Sequence, residues 1–189
     1  MPAREKNIIK GWTKSLTDST ADIVFFGDSI TYGGDWLDYY DDLSVCSLAI
    51  PGDSIQTALY RIDMIEGLCP EKLFVMIGVN NVGKMGYEKL ISEKFDELVE
   101  DLTGTGAKIY VQSILPVRDP SDVSNQQIDT ANEIIRDIAD NYGCTYINLH
   151  DAFSDENGEL LKEVSKDGVH INEKGYALWN LLINKYVYE

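Results

Sequence analysis

Ile23-Val24-Phe25-Phe26-Gly27-Asp28-Ser29-Ile30-Thr31 sets an unbroken apolar run against a glycine, an acid and a serine. Four apolar residues without polar alternation suit a strand buried on both faces, as in a parallel sheet. Similar runs cover Val45 to Ile50, stopped by Pro51-Gly52, and Leu73 to Ile77, stopped at Gly78. Lys108 to Ile114 and Thr145 to Leu149 supply two more. Between them lie helical patterns. Tyr87, Leu90, Ile91, Phe95, Leu98, Val99 and Leu102 recur at three- and four-residue spacing, as do Ile128, Ala131, Ile134, Ile135, Ile138 and Tyr142, with Gly143 as a stop. A last helix starts at Asn172, a cap, and carries Leu178, Leu181, Leu182 and Tyr186. Strands alternating with helices predict a flavodoxin-like, three-layer α/β/α fold around a five-stranded parallel sheet. In such sheets, sites form beyond the carboxyl ends of the strands.

Length and composition narrow the function classes. The chain has 189 residues, 44% of them apolar, which fits one globular domain over residues 1–189. Sixteen basic against thirty-two acidic side chains leave a net charge of −16. That balance argues against nucleic acid and against anionic lipid surfaces as partners, since both need clustered Lys and Arg. The three cysteines, Cys46, Cys69 and Cys144, form no Cys-x-x-Cys, and only two histidines are present. Too few N and S ligands remain for a zinc site, so we expect no metal and no cofactor. Buried free thiols in a reducing compartment are the expectation. Met1 to Trp12 is polar and mixed, without the apolar core of a signal peptide, and no apolar run matches a bilayer span. These features predict a cytoplasmic protein with no membrane partner.

Four loops hold the residues able to do chemistry. A serine at a strand-to-helix turn, as Ser29 is, has its hydroxyl at the sheet edge and its N–H at a positive helix end. Asp28 or Ser29 also serves as an ordinary helix cap, and Gly52-Asp53-Ser54 repeats the tripeptide, so at least one copy does something else. Asp167-Gly168-Val169-His170 puts a carboxylate three residues before an imidazole. A turn there brings the acid to Nδ1 and leaves Nε2 free for a hydroxyl. The other histidine, His150, takes the commoner structural reading. Gly52, after Pro51, permits unusual backbone angles and close approach of its N–H to a ligand. In Gly78-Val79-Asn80-Asn81, an asparagine amide at a strand end is able to donate to a developing oxyanion. Each loop alone is also an ordinary turn.

Taken together, the four loops resemble the SGNH, or GDSL-type, esterases and acylhydrolases, from about Ile23 to Trp179. Ile23 to Thr31 is similar to that family's nucleophile block, and Ala49-Ile50-Pro51-Gly52-Asp53-Ser54 with Arg61 to its glycine block. Gly78-Val79-Asn80-Asn81 resembles the asparagine block, and Asp167 to Tyr176 the closing block. The resemblance implies Ser29 as nucleophile, His170 as base, Asp167 as orienting acid, and an oxyanion hole from the Ser29 and Gly52 N–H groups and the Asn80 amide. It also assigns Ser54 to the glycine block. Two positions depart from the pattern. Asn81 stands where the family often has Asp, a variation also found in its platelet-activating-factor acetylhydrolase-like branch, and Ser47 and Ala49 stand where the glycine block often has Asn and Gly.

Two rival readings are weighed. Gly78 to Lys84 has the spacing of a phosphate loop, but Met85 stands where a Ser or Thr would hold magnesium. A non-catalytic flavodoxin-like binding domain would need the whole Ser, Gly, Asn and His-Asp set to be accidental. The expected substrate is a small ester with a short acyl or acetyl group, acetylated carbohydrate among them; lysophospholipid or thioester hydrolysis is the alternative. Gly33-Gly34-Asp35-Trp36 lies close enough to Ser29 in sequence to line the site, with Trp36 either a sugar platform or a core aromatic. Tyr186-Val187-Tyr188 is a candidate contact surface.

Overall fold

The structure, a computed structural model, describes residues 20–118 and 122–189; the reading of Met1 to Trp12 falls outside them. Five strands form one parallel sheet: β1 (Ile23–Gly27), β2 (Val45–Ser47), β3 (Lys72–Met76), β4 (Lys108–Gln112) and β5 (Thr145–Ile147). Their order is β2-β1-β3-β4-β5. The chain moves one way from β1 to β2 and returns to the other side at β3, so the crevice between the carboxyl ends of β1 and β3 is the switch point. Eight α-helices of the described residues flank the sheet: α1 (Ser29–Tyr32), α2 (Trp36–Tyr39), α3 (Ile55–Ala58), α4 (Ile62–Leu68), α5 (Tyr87–Thr103), α6 (Asn125–Asn141), α7 (His150–Phe153) and α8 (Glu173–Val187), with a 3-10 turn at Leu59–Arg61.

Register aligns an aromatic row across one face. Phe25 pairs with Phe74, and Phe74 with Tyr110. Their rings stack, with centroids 5.2 Å and 4.6 Å apart. Trp36 of α2 covers Phe25 at 4.1 Å, and Trp179 of α8 meets Trp36 edge-on at 5.0 Å. Alternate positions such as Val24, Phe26, Leu73 and Val75 are equally buried on the opposite face. Burial on both faces is why these strands read as continuous apolar runs.

The three long helices follow the apolar periodicity. In α5, Tyr87, Ile91, Phe95, Leu98, Val99 and Leu102 are buried. Ser124 and Gln127 cap α6 reciprocally, and Gly143 follows its end at φ +68°. Asn172 caps α8 by accepting from the Lys174 and Gly175 N–H groups. Three strands are shorter than their apolar runs. Leu48, Ala49 and Ile50 leave the ladder but stay buried, and the Leu48 and Ile50 N–H groups still donate to Phe25 and Gly27. Ile114 is caught by Asn132 of α6, which accepts from its N–H and donates to its carbonyl. Leu149 donates to Ser113 Oγ. Apolarity reported burial there, and strand pairing stopped earlier.

Of the two readings of Trp36 the core aromatic holds: the ring is fully buried with its indole N–H on the Thr31 carbonyl. Two other expectations change. The thiols are not all buried: Cys46 and Cys144 are half-buried, and Cys69 is exposed at φ +46° where α4 ends. In the terminal Tyr186-Val187-Tyr188, Val187 is buried and Tyr186 packs on Tyr110, leaving Tyr188 as the exposed ring.

Phe74 stands at the centre of the aromatic row. Phe74→Ala should lower stability by about 3–5 kcal/mol, seen as a drop in urea midpoint at unchanged slope. A loss below about 1 kcal/mol would show that the row does not anchor the sheet.

Candidate active site

β1 ends at Gly27, where any Cβ would lie 2.3 Å from both the Met76 carbonyl and Thr31 Oγ1. Only glycine allows so close a turn out of the sheet. Asp28 then caps α1, its carboxylate accepting the Ile30 N–H at 3.0 Å, and Ser29 becomes the first helical residue. The Ser29 hydroxyl lies 2.9 Å from His170 Nε2. On the far side of the ring, His170 Nδ1 lies 2.8 Å from Asp167 Oδ2. With Nδ1–H donating to the carboxylate, Nε2 is left as the acceptor for the serine proton.

The turn that carries the imidazole is held from several sides. Asp167 Oδ1 accepts the Val169 and His170 N–H groups at 3.1 Å and 2.8 Å. Gly168, at φ +91°, donates to Ser165 Oγ and accepts from the Arg118 N–H at 2.7 Å. The Lys166 N–H donates to the His170 carbonyl. Burial pulls the Asp167 carboxyl upward, but the two N–H bonds and the imidazole outweigh it and hold the group below its ordinary value. Both partners remain open to water, with His170 40% and Asp167 51% exposed. Solvent therefore screens their mutual attraction.

Gly52 and Asn80 arrive from the neighbouring strand ends. The Asp53 N–H closes a turn on the Ile50 carbonyl, with Pro51 and Gly52 at its centre and Gly52 at φ +78°. That is the residue pattern of a type II turn. Among the described residues, no protein acceptor takes the Ser29 or Gly52 N–H. Asn80 Nδ2 donates to the Asp53 carbonyl at 2.8 Å, which leaves its second amide hydrogen for another acceptor. Asn81 works differently. It is fully buried, accepts the Ile55 N–H at 3.0 Å and donates to Gln56 Oε1 at 2.6 Å, so it ties the β3 loop to α3. These bonds spend the loop on holding its neighbour, which does not suit a phosphate cradle. Ser54 is the cap of α3, with Thr57 closing the capping box. His150 begins α7, 3.5 Å from Asp129 and far from these loops in sequence.

Two features escaped the sequence reading. Asp53 and Arg61, each 1% exposed, form a buried ion pair beneath the Gly52 turn. Asp28 is buried beside them. Burial chiefly raises its carboxyl to about 7, opposed by the Ile30 bond, with the Asp53 carboxylate adding to the rise and His170 opposing it. An acid at the end of a strand buried on both faces was the available signal for Asp28. Among the described residues, no three His, Cys, Asp or Glu side chains are arranged to hold a metal ion. A cleft of about 550 Å³ lies on the flank, lined by the chain neighbours Gly33, Lys166 and Ile171 together with Glu163, Glu173 and Tyr176.

Comparison with known proteins places this geometry in context. Residues 25–178 match the GDSL-like Lipase/Acylhydrolase family. The chain is 28% identical over 174 residues to an N-acylneuraminate cytidylyltransferase of Escherichia coli O18:K1:H7, covering 85% of this chain and 39% of that protein. It thus spans well under half of that relative. It is 23% identical over 178 residues to the platelet-activating factor acetylhydrolase IB subunit alpha1 of Bos taurus, covering 88% of this chain and 77% of that one. A GDSL-like lipase of Bacteroides thetaiotaomicron has the same fold, with a TM-score of 0.80 at 20% identity over 98% and 97% of the two chains. An acetyl xylan esterase superposes with a TM-score of 0.73 at 22% identity over 87% and 98%.

The Asp28 carboxyl gives a test of these surroundings. Because its folded-state value is raised from 3.8 to about 7, the folded form holds a proton that the unfolded chain releases across that window. Stability contributed by this group is complete below that window and is lost as the pH rises through it. Asp28→Asn keeps the cap. It should leave stability near pH 4 unchanged and raise it by roughly 2–4 kcal/mol at pH 8. Equal effects of the substitution at both pH values, measured by urea denaturation, would contradict a neutral buried acid.

Proposed function

The chain belongs to the GDSL-like lipase/acylhydrolase family, and on that premise we propose that it is a serine esterase cleaving short-acyl, chiefly acetyl, esters of small molecules through an acyl-enzyme. The observation that carries this reading is the continuous hydrogen-bonded chain Ser29–His170–Asp167 at the sheet's switch point. His170 Nε2 takes the hydroxyl proton as Ser29 Oγ attacks the carbonyl carbon, and the resulting imidazolium then gives that proton to the departing alcohol. Water repeats the sequence on the acyl-enzyme, releasing the acid and restoring Ser29. Asp167 fixes the tautomer that leaves Nε2 basic. The negative charge that develops on the carbonyl oxygen is met by the Ser29 and Gly52 N–H groups and by the remaining Asn80 amide hydrogen.

Substrate preference follows from the surroundings and from the relatives. The flanking cleft is lined by Glu163, Lys166, Asn172, Glu173, Lys174 and Tyr176. A polar, mixed-charge lining suits a hydroxylated alcohol moiety better than a long acyl tail. Names of two similar proteins carry an acetyl group as the one removed, a platelet-activating factor acetylhydrolase subunit and an acetyl xylan esterase. No helix among the described residues is long and apolar enough to cross a membrane, and the three cysteines are free thiols.

Turnover of p-nitrophenyl acetate should be abolished in Ser29→Ala, while Asn80→Ala should lower kcat roughly a hundred- to thousand-fold with little change in KM. Retained turnover in Ser29→Ala, or a rise in KM at constant kcat in Asn80→Ala, would contradict these roles. A series of acyl esters of increasing length, beside acetylated sugars, should show the acetyl compounds fastest. Faster turnover of long acyl chains or of thioesters would transfer the assignment to a lysophospholipase or thioesterase.

A further inference from the structure

One buried cation touches the chain near two of the three groups that face the developing charge, and reaches the third through Asp53. Arg61, 1% exposed in the 3-10 turn after α3, donates through one guanidinium nitrogen to the Leu48 carbonyl and through another to Asp53 Oδ2. Leu48 and Asp53 bracket the turn that presents Gly52. The guanidinium also lies over the Phe26 ring, 4.4 Å from its centroid, three residues before Ser29. Asp53 extends the contact to the third group, since its carbonyl accepts Asn80 Nδ2 at 2.8 Å. Its second carboxylate oxygen accepts the Ser54 N–H at 3.0 Å and the Thr57 hydroxyl.

We propose that Arg61, acting through Asp53, is a positioning residue that sets the Gly52 N–H and the Asn80 amide at the right distance from Ser29 to bind the oxyanion. The inference rests on the esterase reading above and deepens it. A buried ion pair is a poor device for stability alone, because desolvation consumes most of the attraction. It is a good device for geometry. The planar guanidinium fork fixes two acceptors at a set separation while stacking on a ring, and the single point charge of a lysine does none of these together. Displacement of the amide or the N–H by even a fraction of an ångström weakens a bond that matters only when the carbonyl oxygen becomes charged. The loss should therefore fall on kcat and leave KM nearly alone.

The test uses p-nitrophenyl acetate kinetics together with the affinity for a boronic acid. Boron forms a tetrahedral adduct with a serine oxygen, so its binding reports the charged geometry and not the ground state. Arg61→Lys should lower kcat roughly ten- to a hundred-fold, change KM less than about threefold, and weaken boronate binding by a similar factor to kcat. Combined with Asn80→Ala, its effect should be smaller than the product of the two single losses, because both act on one group of donors. If Arg61→Lys does not fold, Thr57→Val removes a single anchor of Asp53 and should shift kcat and boronate affinity in the same direction, severalfold. Folded variants that lose urea resistance but keep kcat and boronate affinity would overturn the proposal, as Arg61 would then be structural only. Ser29→Ala distinguishes the two levels. An inactive Ser29→Ala beside a fully active Arg61→Lys defeats only this inference, whereas an active Ser29→Ala defeats the esterase reading on which it stands.

Discussion

A hydroxyl at the start of α1 and an imidazole 141 residues later meet at 2.9 Å, and nearly everything else in the molecule serves that contact. One end is fixed by a strand buried along its whole length and by a glycine pressed against the Met76 carbonyl. The other is a short turn on the surface. It owes its shape to a carboxylate gripping two N–H groups, to a left-handed Gly168, and to Arg118, whose N–H reaches back from the loop after β4. Arg118 is itself tied by its side chain to Asp155 and Glu159. A rigid sheet edge thus holds the hydroxyl, and a braced loop presents the ring, which is the division of labour expected of sites carried on loops above a fixed scaffold.

Charge is distributed to the same end. The chain carries twice as many acids as bases, yet beneath the site it keeps an arginine, one carboxylate paired with it and a second that is raised to about 7. Two ionised carboxylates in that space would repel one another and would stabilise an imidazolium before any substrate arrived. Keeping Asp28 largely protonated in acid solution leaves its cap intact and avoids both effects. Asp167 occupies the opposite setting, half exposed and lowered by its own N–H bonds. Two acids near one histidine are thereby separated by environment, one ionised to orient the ring and one poised near neutrality.

Much of this was legible in the residues. Continuous apolar runs marked all five strands, three- and four-residue periodicity marked α5, α6 and α8, and the stops of the first three runs marked loops in which Ser29, Gly52 and Asn80 lie. What periodicity cannot carry is pairing. Leu48 to Ile50, Ile114 and Leu149 are apolar because they are buried, and nothing in their side chains says that the ladder has ended. The habit of the residue type predicts a buried Cys69, whereas the chain places it, exposed, as the residue that ends α4. For Trp36 a core aromatic and a sugar platform are both open from sequence, and stacking on Phe25 selects the core. Arg61 was visible as part of a motif, but its contacts with Phe26, Leu48 and Asp53 join segments that only the folded sheet brings together.

Asn81 shows how such contacts give meaning to a departure from a family pattern. Its side chain must accept from the Ile55 N–H and donate to Gln56 Oε1. A carboxylate at this position meets the first requirement and fails the second unless the Gln56 amide turns over. It would also add another acid to a buried region that already holds Asp28 and the Asp53–Arg61 pair. An unpaired buried charge is costly, and a further like charge would push Asp28 still higher. The amide meets both hydrogen-bonding needs without charge. The substitution is therefore consistent with the ion pair beneath Gly52: with the buried Arg61 engaged by Asp53, a neutral side chain is the one that α3 and the β3 loop can enclose between them.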